Sequence, residues 1–404
     1  MPALKRGNRE MFLTKESPSR ALAAGYGKIK KEYKIAFLSA FIIGLLIHMP
    51  VMLSDIPNHD GLGSMYFDQN MITSGRWFLT VACGFSSYFT IPWVIGLLGI
   101  LFLSLAAAAL TALWELDDML TIVAVSGLLV SFPALASTFA YVFTMDGYML
   151  ALLLAVLSVL CTKKWRKGFL PGAVCLAFSM GTYQAYLPFA ILLCIYEVLL
   201  IFMGEERKIT ETKITERRDR ENSKGLQTVV SGIKASLPYL YMGVLGVALY
   251  YILLKVLLTI EGKELASYQG INDMGMKGLS AVVSMYRDFF SFTLKGNVMF
   301  TGVLSLAGCA VLACVTLCVL IRLFVQRKWW KCPGFFVIIV LFGIITPLAS
   351  NVILLISPDV TYHLLMRYQW VVYLILMVAF INRYGVREAL TEEENARTVK
   401  ASLA

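Results

Sequence analysis

Charged residues that could carry out chemistry cluster just after the first long apolar run of this chain. The segment that follows the run contains Asp55, His59 and Asp60, and the same loop continues to Arg76 and Trp77. A carboxylate at the edge of a bilayer is partly desolvated and can take a proton from a hydroxyl group. A guanidinium group can hold a phosphate by paired hydrogen bonds. The loop therefore predicts a general base, Asp60 or Asp55, near a phosphate-binding Arg76.

The same residues also have structural interpretations. Aspartates in loops often cap turns and helices, and an Arg–Trp pair often anchors a helix at the membrane interface. A metal site for Mg²⁺ or Mn²⁺ is a further alternative, with Asp55, His59 and Asp60 as ligands. Because these ligands are loosely spaced, the sequence requires no metal or other cofactor.

Four more polar residues are predicted near the same surface. Asp146 is expected in a very short turn between two apolar helices, where it would contact a substrate or cap the next helix. Tyr183 and Gln184 occupy another tight turn, where they would bind a sugar or satisfy backbone groups. Arg367 is predicted either to contact a phosphate or to snorkel towards the membrane edge.

Composition indicates an integral membrane protein. Hydrophobic residues make up 58% of the 404 residues and charged residues only 15%, whereas soluble domains have about 25% charged residues. The net charge is +10, which in a soluble protein would suggest nucleic acid. Here the basic residues flank apolar runs and form no separate domain, so the positive-inside rule explains them. The predicted partner is the lipid bilayer and not nucleic acid.

Ten apolar segments predict an all-α, polytopic fold with about ten transmembrane helices, because a spanning helix needs about 20 apolar residues. The segments are 35–53, 93–113, 119–139, 147–162, 169–183, 185–203, 237–258, 298–323, 335–356 and 364–381. The distribution of basic residues predicts that both termini are cytoplasmic.

This topology divides the chain into five parts. They are a cytoplasmic segment 1–34, a transmembrane module 35–203, a charged cytoplasmic linker 204–236, a second module 237–381 and a cytoplasmic tail 382–404. The two long extracytoplasmic loops are 54–90 and 259–297, and each is expected to contain an interfacial helix. In the second loop, a stripe of apolar residues from Leu279 to Phe290 at helical spacing supports that expectation.

The order of the motifs along the chain resembles one known family. The acidic loop is followed by Gly75-Arg76-Trp77, then by Phe139-Ala140-Tyr141-Val142-Phe143 before Asp146, and then by Gly181-Thr182-Tyr183-Gln184-Ala185-Tyr186. This order resembles the Gtr-type (GtrII-like) glucosyltransferases, polytopic enzymes of the GT-C class that modify O-antigen or other surface glycans. The resemblance is strongest over residues 35–203 and thinner beyond them.

The resemblance implies a GT-C-like membrane hexosyltransferase in a bacterial-type cytoplasmic membrane. Its donor would be a polyprenyl-phosphate-linked sugar, with glucose the expected hexose, and its acceptor a surface polysaccharide or glycolipid on the extracytoplasmic face. Members of the GT-C class keep a catalytic acid in the first outer loop, which Asp60 matches best, and many of them have a second acid in the next outer loop, which Asp146 matches. Because Asn58-His59-Asp60-Gly61 stands where adjacent acids are expected, the choice between Asp55 and Asp60 and the use of a metal stay open.

A membrane transporter or a lipid or glycan flippase is the main alternative. Transporters usually keep polar residues near the middle of the bilayer, often at broken helices. Here the ionisable residues gather at one edge, and only Glu197 and Lys255 are predicted well inside spans. A membrane anchor without chemistry would leave the one-sided acids unexplained, so the sequence favours sugar transfer.

Overall fold

The structure, a computed structural model, describes residues 25–54, 71–83, 91–204, 224–266, 270, 278–295, 302–326, 329 and 333–387. Every regular element within these residues is helical, and none of them forms a strand. The predicted all-α fold class is therefore confirmed.

We number the α-helices α1 to α14 in chain order. They are α1 Lys31–Leu53, α2 Leu79–Ala82, α3 Pro92–Trp114, α4 Met119–Ser131, α5 Pro133–Phe139, α6 Val142–Lys164, α7 Phe169–Thr182, α8 Leu187–Phe202, α9 Lys224–Glu261, α10 Gly278–Lys295, α11 Val303–Gln326, α12 Pro333–Ser350, α13 Ile353–Ile356 and α14 Trp370–Phe380. Single 3₁₀ turns precede α8 and α14, at Gln184–Tyr186 and Leu364–Arg367, and a π-helical turn at Ile381–Arg387 follows α14.

Seven helices of the described residues are long and apolar enough to cross a membrane, and the broken pair α4–α5 would make an eighth. Two shorter apolar helices are α7 and the Val337–Ser350 part of α12. Each of the ten predicted spans therefore coincides with an apolar helix or a broken pair. This agreement supports a polytopic membrane protein, while the number of helices that cross the bilayer stays a prediction.

Two helices begin five or more residues before the positions that the hydropathy pattern predicts. Helix α9 begins at Lys224, so the second part of the predicted linker 204–236 is helical, whereas residues 205–223 lie outside the described residues. Helix α6 begins at Val142, which puts Asp146 inside a helix and not in the short turn expected for it. Both extensions contain polar residues. A search for apolar segments does not include such residues, although they can continue a helix.

The long loops contain less described structure than the membrane segments. In the described part of loop 54–90, residues 71–83, the regular element is the four-residue helix α2. The interfacial helix expected in that loop is not among these residues, and 55–70 and 84–90 lie outside the described residues. The other loop does contain a helix at the expected place, α10, and its position relative to the membrane stays a prediction.

The third predicted span is broken, where the sequence predicted one continuous helix. Helices α4 and α5 meet at Phe132 and are bent by 47°. Pro133 begins α5 and has no N–H group, so the carbonyl of Leu129 loses its helical partner. The extended backbone of Phe132 also takes the next N–H group away from the Val130 carbonyl.

Side chains from the first and last spans satisfy these two carbonyls. His48 of α1 donates from Nε2 to the Val130 carbonyl at 2.9 Å and stacks on the Phe139 ring at 3.8 Å. The Tyr368 hydroxyl donates to the Leu129 carbonyl. Because an unpaired buried carbonyl costs free energy, these two contacts stabilise the break. They also connect it to the first and last spans.

Helices α1 and α3 pack antiparallel through close contacts, as do α6 and α7, whereas α7 and α9 run parallel. Gly44 of α1 lies against Ile100 of α3, the Ser179 hydroxyl of α7 donates to the Ala151 carbonyl of α6 at 2.7 Å, and Gly246 of α9 lies against α7. The C-terminal ends of α1, α7 and α9 therefore meet the N-terminal ends of α3, α6 and α8. We call this the Arg76 end of the bundle, because the loop that contains Arg76 packs against it.

Gly181 of α7 allows the loop of Arg76 to approach the bundle. A Cβ atom at Gly181 would lie closer than 3.0 Å to three atoms of the Trp77 indole, and Trp77 is only 7% exposed. We expect Gly181→Ala to destabilise the protein by about 1–3 kcal/mol, the usual cost of overpacking, with a lower Tm in detergent.

The matched control is Gly243→Ala on α9, where an added Cβ would have no neighbour within 4 Å. Alanine is the better helix former by about 1 kcal/mol, so this control should leave the Tm unchanged or raise it. Equal Tm values for the two variants would contradict the close packing of Trp77 on α7.

Candidate functional site

Three residues of the first loop form the predicted catalytic and metal-binding group. Asp55, His59 and Asp60 lie outside the described residues, and so does the metal site suggested for them. Among the described residues, no group of three or more His, Cys, Asp or Glu side chains could hold a metal ion. The geometry of the candidate site therefore comes from the second half of the loop and from the helix ends that surround it.

A tight turn presents Arg76 to the bundle. Gly75 has a left-handed backbone with φ of 79°, a conformation that glycine adopts without strain. The Arg76 N–H group donates to the Met71 carbonyl at 2.7 Å, and the Phe78 N–H group donates to the Gly181 carbonyl at 2.7 Å. These backbone bonds hold the half-buried Arg76 against the C-terminal end of α7.

The guanidinium group of Arg76 lies over an aromatic stack. Its central carbon is 5.2 Å from the centre of the Tyr183 ring, within the usual range of a cation–π interaction. Tyr183 stacks in turn on Tyr148 of α6 at 4.2 Å and meets the edge of Tyr186 at 5.6 Å.

Gln184 binds protein groups. Its side-chain nitrogen donates to the Ser74 carbonyl and to the Tyr250 hydroxyl, both at 3.1 Å. The Tyr250 hydroxyl donates to the Gly75 carbonyl, also at 3.1 Å. Of the two roles predicted for the Tyr183–Gln184 turn, the structure therefore shows Gln184 satisfying backbone groups.

Trp77 packs inside the bundle. Its ring meets Phe178 edge-on at 5.2 Å and Phe78 at 5.9 Å. With 7% of its surface exposed, Trp77 supports the turn of Arg76 and presents little surface to a ligand.

Asp146 lies near the start of α6, close to the first loop. The side chain is only 3% exposed, and its Oδ1 atom accepts a hydrogen bond from the Gly147 N–H group at 2.9 Å. Gly147 contacts Leu79 and Cys83 of the first loop. The N-cap of α6 is Tyr141, and the first turn of the helix contains no acid, so Asp146 does not cap the helix as the sequence allowed. Its position near the start of α6 puts it at the Arg76 end of the bundle.

Arg367 holds α10 against the bundle. Its Nη1 and Nη2 atoms donate to the two carboxylate oxygens of Asp288 at 2.6 and 2.7 Å. The guanidinium carbon also lies 3.9 Å from the Tyr362 ring centre and 4.4 Å from that of Phe292. A carboxylate thus occupies the two terminal nitrogens that were predicted to contact a phosphate. The Arg367 turn adjoins the Tyr183–Tyr186 turn, because Tyr368 meets Tyr186 at 6.2 Å.

The Asp288–Arg367 ion pair should determine whether α10 stays docked. Replacing one partner leaves the other charge half-buried, so we expect Asp288→Ala to cost about 1–3 kcal/mol, less than for a fully buried pair. Arg287→Ala removes a neighbouring exposed charge on the same helix and is the matched control. We expect a lower Tm and faster proteolysis next to α10 for Asp288→Ala alone. The same behaviour in both variants would contradict the docking role.

The structure thus unites only part of the predicted site. Arg76, Trp77, Tyr183 and Gln184 form one cluster, Asp146 adjoins it through α2, and Arg367 belongs to a separate ion pair. Sequence reasoning missed Tyr250 and Asp288, which carry the most specific contacts to the predicted residues. The only sequence signal for Tyr250 was a hydroxyl group in an apolar run, and the only one for Asp288 was an acid on an amphipathic helix.

Comparison with known proteins adds an independent finding. A family model described as "Glucosyl transferase GtrII" matches residues 49–381, which is most of the chain. The match includes the first loop, the Arg76 cluster and the Arg367 turn. No curated protein and no solved structure matches the chain.

Proposed function

The chain belongs to the GtrII glucosyltransferase family. From this premise we propose that it moves a hexose, with glucose as the expected sugar, from a polyprenyl-phosphate-linked donor to a glycan. The acceptor is a surface polysaccharide or glycolipid, and transfer takes place on the extracytoplasmic face of a bacterial-type cytoplasmic membrane. Both termini are then cytoplasmic, and the Arg76 end of the bundle faces outwards.

The setting of Arg76 is the observation that carries this proposal. A polyprenyl-linked sugar has its chain in the bilayer and its phosphate at the level of the head groups, so its enzyme needs a cation at one end of a helical bundle. Arg76 is a half-buried cation at such an end, held over Tyr183 at 5.2 Å. Its loop also contains Asp55 and Asp60, which provides an acid and a cation close together in the sequence.

The proposed reaction is a displacement at the anomeric carbon. The carboxylate of Asp60, or of Asp55 in the alternative, takes the proton of the acceptor hydroxyl. The hydroxyl oxygen forms a bond to the anomeric carbon, and the bond from that carbon to the phosphate oxygen breaks. The electron pair leaves with the phosphate, so polyprenyl phosphate gains one negative charge, which the guanidinium group of Arg76 stabilises.

The other predicted residues have supporting roles in this proposal. His59 contacts the sugar or the acceptor, Asp146 orients the acceptor or the donor, and Trp77 and Tyr183 keep Arg76 in place. A divalent metal at Asp55, His59 and Asp60 remains an alternative way to neutralise the phosphate. Adding EDTA and then restoring Mg²⁺ or Mn²⁺ would separate a metal-dependent reaction from one that uses Arg76 alone.

The donor class can be tested directly with purified protein in detergent. We expect transfer of labelled glucose to a glycan acceptor from polyprenyl-phosphate glucose and none from UDP-glucose. A protein with Arg76→Ala is the matched control for sugar transfer that does not depend on this site. Efficient transfer from UDP-glucose in the absence of polyprenyl phosphate would overturn the proposed donor.

The broken helix α4–α5 favours a second function, because transporters bind solutes at such breaks. At this break, however, His48 and Tyr368 already bond the freed carbonyls. Glu197, an acid inside a span, is paired with Lys163 at 2.7 Å. Uptake of a solute by reconstituted vesicles, without sugar transfer, would nevertheless favour the transporter.

A further inference from the structure

Two side chains distant in sequence fasten the turn that presents Arg76. Gln184 follows α7 and Tyr250 lies in α9, 66 residues further along the chain. Together they bond both carbonyls that directly precede Arg76, those of Ser74 and Gly75, at 3.1 Å. No other described hydrogen bond joins the Ser74 or Gly75 carbonyl to a side chain.

The contacts form a directed chain of hydrogen bonds. The Gln184 amide uses one hydrogen for the Ser74 carbonyl and the other for the Tyr250 oxygen. The Tyr250 hydroxyl then donates its own hydrogen to the Gly75 carbonyl. Consecutive hydrogen bonds strengthen one another in a low-dielectric setting. Both side chains are buried, with 5% of Gln184 and 1% of Tyr250 exposed.

We propose that Tyr250 and Gln184 are positioning residues for sugar transfer, which act by fixing the Ser74–Gly75 backbone and thereby the direction of the Arg76 guanidinium group. The inference rests on the proposed function, because it needs Arg76 to bind the donor phosphate. It adds a role for α9, a helix in which the sequence marked no functional residue, and it gives Gln184 a role other than sugar binding.

Tyr250→Phe tests the inference with the smallest change, since only the hydroxyl group is lost. A neutral hydrogen bond of this kind contributes about three- to tenfold to an equilibrium, so we expect kcat/KM for the lipid donor to fall by about that factor. Tyr251→Phe is the matched control, because it removes a hydroxyl at the next residue, whose side chain is 44% exposed.

A double-mutant cycle separates positioning from a general structural effect. Tyr250→Phe is combined with Arg76→Lys, which keeps the charge and loses the planar fork. If Tyr250 acts through the guanidinium group, its removal should change the inhibition constant of undecaprenyl phosphate much less in the Arg76→Lys background. A purely structural role would change that inhibition constant by the same factor in both backgrounds. Gln184→Met is a second removal of the same support, should Tyr250→Phe fold poorly.

The outcomes distinguish the two levels of the proposal. If Arg76→Ala leaves transfer and phosphate inhibition unchanged, the proposed role of Arg76 is wrong. If Arg76→Ala impairs both while Tyr250→Phe and Gln184→Met behave like Tyr251→Phe, the positioning role alone is overturned. Equal effects of Tyr250→Phe in both Arg76 backgrounds overturn it as well.

Discussion

Replacing Asp60 with asparagine should abolish sugar transfer while the protein still folds and binds its lipid donor. Asparagine keeps the shape of the side chain but cannot take the proton of the acceptor hydroxyl. General-base catalysis contributes about 10²–10⁴-fold to a rate, so kcat should fall by about that factor. The measurement is transfer of labelled sugar by purified protein, at donor concentrations above KM.

Two variants of the same loop are the controls for this prediction. Asp68→Asn removes a third acid of the loop and should retain activity within about twofold, if Asp60 alone supplies the general base. Asp55→Asn tests the alternative base. Loss of transfer in Asp55→Asn together with normal turnover in Asp60→Asn would assign the base to Asp55. Normal turnover in all three variants would contradict a carboxylate base in this loop.

Replacing Arg76 with alanine should have the second largest effect. Removing one group that stabilises developing negative charge costs about 10²–10³-fold in rate, and we expect that loss in kcat/KM for the lipid donor. Arg76→Lys should recover part of it, because a lysine supplies the charge but not the paired hydrogen bonds. Inhibition by polyprenyl phosphate should weaken in parallel, since product and transition state share the phosphate.

Arg367 is the informative comparison for Arg76. Its guanidinium group is paired with Asp288. Arg367→Ala should therefore lower the Tm and have little effect on inhibition by polyprenyl phosphate. Arg287→Ala, an exposed substitution on α10, should alter neither. Weaker inhibition in Arg367→Ala with an unchanged Tm would transfer the phosphate contact to Arg367 and contradict the assignment of Arg76.

Apolar runs predicted most helices because a spanning helix must satisfy its backbone internally and bury its side chains in lipid. The apolar run continues through Phe132 and Pro133, so hydropathy alone predicted one helix where α4 and α5 are separate. The proline was the sequence signal for the break. The start of α9 at Lys224 was missed for the opposite reason, since its polar residues resemble a linker.

The site was only partly predictable because its decisive contacts are distant in sequence. Arg76 and Tyr183 were both identified as candidates, yet nothing in the pattern indicated that one lies over the other. Asp288 lies 79 residues before Arg367. Tyr250 and Tyr251 are adjacent in an apolar run, and only packing decides that the first is buried and the second exposed.

Cysteine labelling in intact cells most directly tests the claim that the Arg76 end faces outwards. Single cysteines replace Ser64 in the acidic loop or Ser223 in the charged linker, in a protein from which the eight native cysteines have been removed. A membrane-impermeant maleimide should label the Ser64→Cys protein in intact cells and the Ser223→Cys protein only after permeabilisation. Labelling of Ser223→Cys alone in intact cells would put the acidic loop in the cytoplasm and contradict transfer on the extracytoplasmic face.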